Sequence, residues 1–273
     1  MEPILRITTL VTQSRIPEFK ILNYSVAQHN PNVQWIVATS EDCYDQIKAM
    51  PNIDSILTGV EEGMEGVHQG PEFNEEQKDR FYKTIMSKLD IIEHSIKFHG
   101  YGMFLDVDMF FVNPLPKLLV HSIVSAQFDA YTSNHWLPPA WTNSVGLFNV
   151  GALAITNLKI MDKWRELTLS RQYYYEQKPF ELAVAGWNTF EMPYGVNVGG
   201  WKIKNPIVTS NNQIFVNDQN GIITPVQSFH MHILPRFRTF SDPQNHIFPQ
   251  TLKALRDGSE KHKALYNMIE LIA

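Results

Sequence analysis

The chain has 273 residues, 44% of them hydrophobic, and sets 23 Lys and Arg against 28 Asp and Glu for a formal net charge of −5. An apolar fraction of that size excludes a disordered chain, and the acidic balance carries no electrostatic footprint for nucleic acid. The single cysteine, Cys43, excludes a disulfide framework or a cysteine-rich zinc site within the chain and reads as a half-buried thiol in a reducing compartment.

The opening MEPILRITTLVT lacks a basic region followed by a long apolar core, so it reads as a strand and not as a signal peptide. No apolar run reaches the ~18 residues of a membrane span, and a cytoplasmic location is the expectation. ILRITTLVT (4–12) is continuously hydrophobic, as a buried parallel strand is. Pro17 suits the first turn of a helix running to His29. VQWIVAT (33–39) reads as a second buried strand and IDSIL (53–57) as a short third, which predicts an α/β sheet. Residues 58–79 are polar and glycine-rich and are expected to form a mobile surface loop, either closing over a ligand or standing as a solvated insertion. Phe81, Ile85, Leu89, Ile92 and Ile96 then repeat on one helical face, and Gly100 stops that helix.

GMFLDVDMFFV follows and reads as one apolar strand, ended by Asn113-Pro114. Residues 144–157 predict another strand region, with Asn157 capping a helix through Trp164 and Leu169. NPIVTS, QIFVN and SFHMHI predict short strands, and the tail, with Leu252, Leu255, Leu265, Ile269 and Leu271, predicts helix packed on the outside. With no repeat, linker or low-complexity tract, the economical reading is one α/β domain with a mixed, mostly parallel sheet flanked by helices.

Asp106 and Asp108 are the chemical anomaly. Residues i and i+2 of a strand share a face, so the two carboxylates would project together while Leu105 and Val107 enter the core. Open α/β sheets bind ligands outside the carboxyl ends of their strands, and the pair lies at such an end. Two close carboxylates repel unless a cation sits between them. A hard divalent ion, Mg2+ or Mn2+, suits them and commonly shares its shell with substrate phosphates. His230 and His232 share a face of the predicted SFHMHI strand, and one of them is a candidate to complete the metal shell. Arg236 and Arg238 follow, with guanidinium groups suited to a diphosphate or to a plain solvated turn.

The segment SKLDIIEHSIKFHGYGMFLDVDMFFVNPL resembles the centre of GT-A-type glycosyltransferases, where a Lys-bearing helix leads into a strand ending in Leu-Asp-x-Asp. FNVGALAI and MPYGVN resemble the Phe-Asn-x-Gly and Leu-Pro-x-x-aromatic-Asn segments of glycosyltransferase family 8, with Val196 in place of the aromatic residue. FHMHI stands where those enzymes carry a metal-binding His, which favours His230. Two departures mark the family-level match: PFELAV stands where an Asp-Gln pair is usual, and HMHILPRFR replaces the usual C-terminal motif.

The resemblance implies a single GT-A domain with a nucleotide-binding half (about 1–112), an acceptor half (about 113–240) and a helical tail (about 241–273). It implies a metal-dependent transfer of a hexose or pentose from a nucleoside-diphosphate sugar, a UDP-sugar in preference, to a glycan hydroxyl. It implies Asp108 as a direct metal ligand, Asp106 on the metal or the ribose, and Lys88 near the nucleotide, with Arg80 and Lys83 as weaker candidates. Thr8, Thr9 and Thr12 would end the strand that receives base and ribose. Asn149 and Gly151 would meet the sugar, Gly151 by permitting close backbone approach. From the residues themselves, Glu181 in the aromatic-flanked KPFELAVAGW either orients the acceptor, acts as base, stabilises a cationic sugar carbon or stands as a surface carboxylate, and Trp136, Trp141, Trp187 and Trp201 either stack on sugar rings or fill the core. The order of the motifs favours retention of anomeric configuration. The alternatives are an inverting enzyme with Glu181 as base and an inactive carbohydrate-binding scaffold. A phosphatase using Asp as nucleophile fits poorly because the motif lies mid-chain, and TTLVTQSRIPEF lacks the basic glycine-rich loop of a pyrophosphorylase.

Overall fold

The computed structural model describes residues 3–60, 74–136, 142–143, 145–173, 175–202, 207–210, 213–217, 221–231, 233 and 248–273. The expectations for residues 61–73 of the glycine-rich loop and for Trp141 lie outside the described residues.

The first half runs β1 (Leu5–Val11), α1 (Ile16–His29), β2 (Val33–Thr39), α2 (Tyr44–Lys48), β3 (Ile53–Thr58), α3 (Glu75–His99), β4 (Gly102–Leu105) and β5 (Met109–Phe111). It continues through α4 (Lys117–Val124), β6 (Ala130–Thr132), β7 (Ala152–Ile155), α5 (Leu158–Leu169), α6 (Gln177–Val184) and β8 (Thr189–Glu191). The remainder holds β9 (Val208–Ser210), β10 (Gln213–Asn217), β11 (Ile223–Pro225), β12 (Ser228–His230), α7 (Phe248–Arg256) and α8 (Glu260–Glu270). Helix α3 starts within the stretch read as loop, at Glu75. Asn157 caps α5 as expected, its side chain accepting from the Lys159 N–H, a contact worth about 1 kcal/mol.

Seven strands form a mixed, mostly parallel sheet in the order β3-β2-β1-β4-β7-β6-β8. Strands β3, β2, β1 and β4 run parallel, and β7 pairs antiparallel with β4. Alternation along β4 sends Met103 and Leu105 to one face and Phe104 to the other. The first face packs on Phe19, Leu22 and Val26 of α1 and Leu119 and Ile123 of α4. The second packs on Ile85, Leu89, Ile92 and Ile96 of α3, Trp164 of α5 and Phe180 of α6. Each such fully buried side chain contributes roughly 1.5–3 kcal/mol of transfer free energy.

A third core joins Ile21 of α1, Phe110 of β5 and Phe229 of β12 to Leu255 and Leu265 of the C-terminal helices. The tail therefore completes a core instead of only covering the exterior. His262 both caps α8 with Ser259 and lies 2.8 Å from the Val112 carbonyl through Nε2.

The run from Met103 to Val112 is not one strand. β4 stops at Leu105, Asp106 to Asp108 form a turn in which the Met109 N–H donates to the Asp106 carbonyl at 3.2 Å, and β5 leaves the main sheet to pair antiparallel with β12. Strand alternation would have put both carboxylates on the Phe104 face, inside the apolar core under α3, where charge is costly. The turn removes them from that core.

Candidate metal centre

Three elements build the site. The turn after β4 carries Asp106 and Asp108. The β5–β12 pairing sets His230 opposite Met109, next to Asp108, and the Met231 N–H donates to the Asp108 carbonyl at 3.1 Å. Nε2 of His230 lies 3.1 Å from Asp108 Oδ1 and 3.8 Å from Asp106 Oδ2. One ligand atom from each of the three residues lies within 4.8 Å of the other two. Two carboxylates and an imidazole form a donor set for a divalent cation that accepts oxygen and nitrogen, as Mn2+ does. Asp108 and His230 are buried and Asp106 is partly open, which leaves one side for a ligand.

Gly151, the residue before β7, makes the convergence sterically possible. A Cβ there would stand 2.3 Å from His230 Cε1 and 2.7 Å from Asp106 Oδ2. Its carbonyl accepts from the Asp106 N–H at 2.7 Å and its N–H donates to Asn149 Oδ1 at 2.8 Å.

That last bond orients a buried network. Because a backbone N–H can only donate, the Asn149 atom facing it is the carbonyl oxygen, which also accepts from Asn197 Nδ2 at 2.9 Å. Asn197 therefore turns its own Oδ1 to His230 Nδ1, 2.8 Å away. Nδ1 must carry the proton, so Nε2 is the atom left to face Asp106 and Asp108. Such partners fix the tautomer and aim of a metal-binding imidazole. Burial disfavours the His230 imidazolium, but Asp108 and Asp106 outweigh it and raise the pKa above the ordinary value. A cation bound at Nε2 would take the place of that proton.

The amide nitrogen of Asn149, Nδ2, donates to His135 Nε2 at 2.9 Å, which leaves Nδ1–H of His135 toward the Gly146 carbonyl. Burial is the main reason that the His135 pKa falls to about 3. Folded His135 thus titrates below its unfolded value of about 6.5, the unfolded state binds the extra proton, and stability is full above pH ~6.5 and lost as pH falls toward 3. His29, lowered to about 4 chiefly by burial, acts in the same direction. The expected loss from His135 is up to about 1.4 kcal/mol per pH unit. Urea denaturation between pH 7 and 4 should show a shallower decline for His135→Gln; equal slopes would contradict this account.

The remaining sequence candidates fall as follows. Lys88 is buried on α3, with Nζ 3.3 Å from Asp106 Oδ1, 3.5 Å from Glu176 Oε1 and 4.4 Å above the Phe104 ring. The hydroxyls of Thr8 and Thr9 donate to the Met103 and Leu105 carbonyls, both at 2.8 Å, and tie β1 to the end of β4. Thr12 is buried just after β1. Glu181 accepts from the Leu147 N–H at 2.7 Å and from Lys178 Nζ at 2.6 Å, so both its oxygens are engaged. Arg80 pairs with Glu76 on the exposed start of α3. His232, Arg236 and Arg238 lie outside the described residues.

Sequence reasoning gave no role to Asn197, Ser133, His135, Lys202 or Glu176. Only Asn197 had a signal, as the last residue of MPYGVN. Glu176-Gln177, an acid–amide pair at the start of α6, stands just before PFELAV and puts its acid against Lys88. Trp201 stands edge-on to His230, with ring centroids 5.2 Å apart.

No family model and no curated protein matches the sequence. Solved structures do match. The galactosyltransferase LgtC in complex with donor and acceptor sugar analogs aligns with a TM-score of 0.59 at 12% identity, over 98% of this chain and 96% of that one. An active-site variant of LgtC gives a TM-score of 0.56 at the same identity and coverage. The bifunctional glycosyltransferase WbbM gives 0.53 at 10% identity, over 98% of this chain and 53% of that one. The chain has the mixed α/β fold of GT-A glycosyltransferases, with an Asp-x-Asp pair and His230 grouped as a candidate metal site at the end of β4.

Proposed function

We propose that this protein is a metal-dependent glycosyltransferase that moves a sugar from a nucleoside-diphosphate sugar, a UDP-sugar in preference, to a glycan hydroxyl with retention of configuration. The observation that carries the reading is the convergence of Asp106, Asp108 and His230 at the carboxyl end of β4 in this fold. When bound, Mn2+ or Mg2+ supplies Lewis-acid neutralisation of the charge that grows on a departing diphosphate. Asp106, Asp108 and His230 hold the cation, Lys88 restrains Asp106, and Asn197 aims His230. Arg236 and Arg238, which follow β12 in sequence, are assigned to the diphosphate. Thr8 and Thr9 lie on β1, the strand assigned to the nucleoside, and Thr12 follows its end. Asn149 and Gly151 form the wall assigned to the sugar.

Retention is supported by Glu181. An inverting enzyme needs a carboxylate free to take a proton on the far face of the sugar, and both Glu181 oxygens are held by Lys178 and the Leu147 N–H. Front-face attack, in which the departing phosphate takes the proton, needs no such base.

The test is a panel of UDP- and GDP-sugars incubated with the protein and Mn2+, with EDTA as control, followed by NMR of the released or transferred sugar. The expected result is metal-dependent turnover with the anomeric configuration kept. Glu181→Gln should lower turnover by less than tenfold, against the ~10²–10⁴ lost with a general base. No metal-dependent turnover on any donor would favour a binding scaffold. An inverted product together with an inactive Glu181→Gln would make Glu181 the base.

A further inference from the structure

Lys202 follows the Asn197 turn and is 2% exposed. Its Nζ donates to the Val196 carbonyl at 2.9 Å, the Tyr194 carbonyl at 3.2 Å and Ser133 Oγ at 3.3 Å. Among the described residues these acceptors are all uncharged. Lysine is almost never fully buried without a charged partner, so this position calls for a reason beyond filling space. Three oxygens from two separate segments converge on the amine as they would on a bound cation.

The acceptors point to what the amine holds. Val196 supplies the carbonyl just before Asn197, and Ser133 Oγ is shared with Asn197 Nδ2 at 3.2 Å. Asn197 itself has φ +60°, a left-handed conformation that costs a non-glycine residue free energy unless its surroundings enforce it. The Tyr194 hydroxyl donates back to the Lys202 carbonyl, closing the 194–202 segment into a ring. Burial draws the Lys202 ammonium down to about 7, with Glu191 opposing. The neutral amine still keeps two N–H donors.

We propose that Lys202 is a positioning residue for the metal centre: its internal amine locks the Asn197 turn, and the locked Asn197 holds the His230 imidazole in the tautomer that turns Nε2 toward Asp106 and Asp108. This rests on the metal reading above, but its test needs no sugar transfer.

Lys202→Met keeps most of the stem and removes the donors. Ser133→Ala keeps Lys202 and removes only the shared hydroxyl. In metal-free protein with 15N-labelled histidine, the Nδ1–H signal of His230, assigned by its loss in His230→Gln, should be sharp in the parent. It should broaden in both variants. In Mn2+ titrations, Lys202→Met and Asn197→Ala should each weaken binding at least tenfold, and the double variant should be no weaker than the worse single, as for two residues acting along one path. Additive losses, or an unchanged Nδ1–H signal in Lys202→Met, overturn the proposal. If Lys202→Met does not fold, Ser133→Ala decides by the same two readouts. A parent that binds no Mn2+ sinks the metal reading, and the Nδ1–H comparison still decides the positioning role.

Discussion

Asp108→Asn should abolish Mn2+ binding, and with it metal-dependent donor binding, while the chain stays folded. Asp108 is the buried carboxylate of the triad and lies 3.1 Å from His230 Nε2, whereas Asp106 is partly open and shared with Lys88. The amide keeps the shape of the side chain but removes a full negative charge from a hard-cation site, where a neutral oxygen is a far weaker ligand. Loss of a residue that only supports a ligand already costs about 10–100-fold in metal affinity, so loss of the ligand should exceed that. Folding should survive, because the substitution also removes the repulsion between two neighbouring carboxylates. The variant gives up one charge that raises the His230 pKa, so its imidazole should titrate lower than the parent's. Thermal melts with and without Mn2+ separate binding from folding. A ligand at 100 times its Kd stabilises the native state by about 2.7 kcal/mol, so the parent should melt higher with Mn2+ and the variant should not. Equal Mn2+ shifts in both proteins would remove Asp108 from the metal shell.

What the sequence made legible is what depends on neighbours in the chain. VQWIVAT is β2 from end to end, Pro17 lies in the first turn of α1, and Asn157 caps α5, because apolar runs and caps act over a few residues. The Asp-x-Asp pair was legible for the same reason: two charges in an apolar run are anomalous without any tertiary knowledge. The turn that bears them was not, since it is enforced by the apolar core under α3 and by the pairing of β5 with β12, more than a hundred residues downstream. The supporting network is non-local throughout. Asn197 reaches Asn149 across 48 positions and His230 across 33, and Lys202 reaches Ser133 across 69. No period or spacing joins them. The bonds of Thr8 and Thr9 were equally illegible: their hydroxyls donate to β4 across 95 and 96 positions, where the β1–β4 register holds only two residue pairs.

Gly151→Ala should destroy metal binding without touching a ligand. Gly151 is not in the left-handed region, so alanine meets no backbone penalty and the effect is purely one of space. The added methyl would stand 2.3 Å from His230 Cε1, 2.6 Å from its Nδ1 and 2.7 Å from Asp106 Oδ2, against ordinary contacts of 3.4–4 Å. His230 cannot yield easily: Asn197 holds its Nδ1, Trp201 stands against its ring, and its backbone is paired with Met109. Gly151 cannot yield easily either, because its N–H and carbonyl hold Asn149 and Asp106. Something must shift by about an ångström, and a displacement of that size at a reacting centre costs on the order of 10²-fold. Overpacking of this kind also costs about 1–3 kcal/mol of stability. The control is His230→Ala in the Gly151→Ala background. Removing the imidazole makes room for the methyl, so the double variant should recover part of the lost stability while still failing to bind Mn2+. Melting temperatures and Mn2+ titrations on the four proteins of this cycle test it. If Gly151→Ala binds Mn2+ as the parent does, the imidazole is not held against residue 151 in solution, and His230 loses its place in the shell.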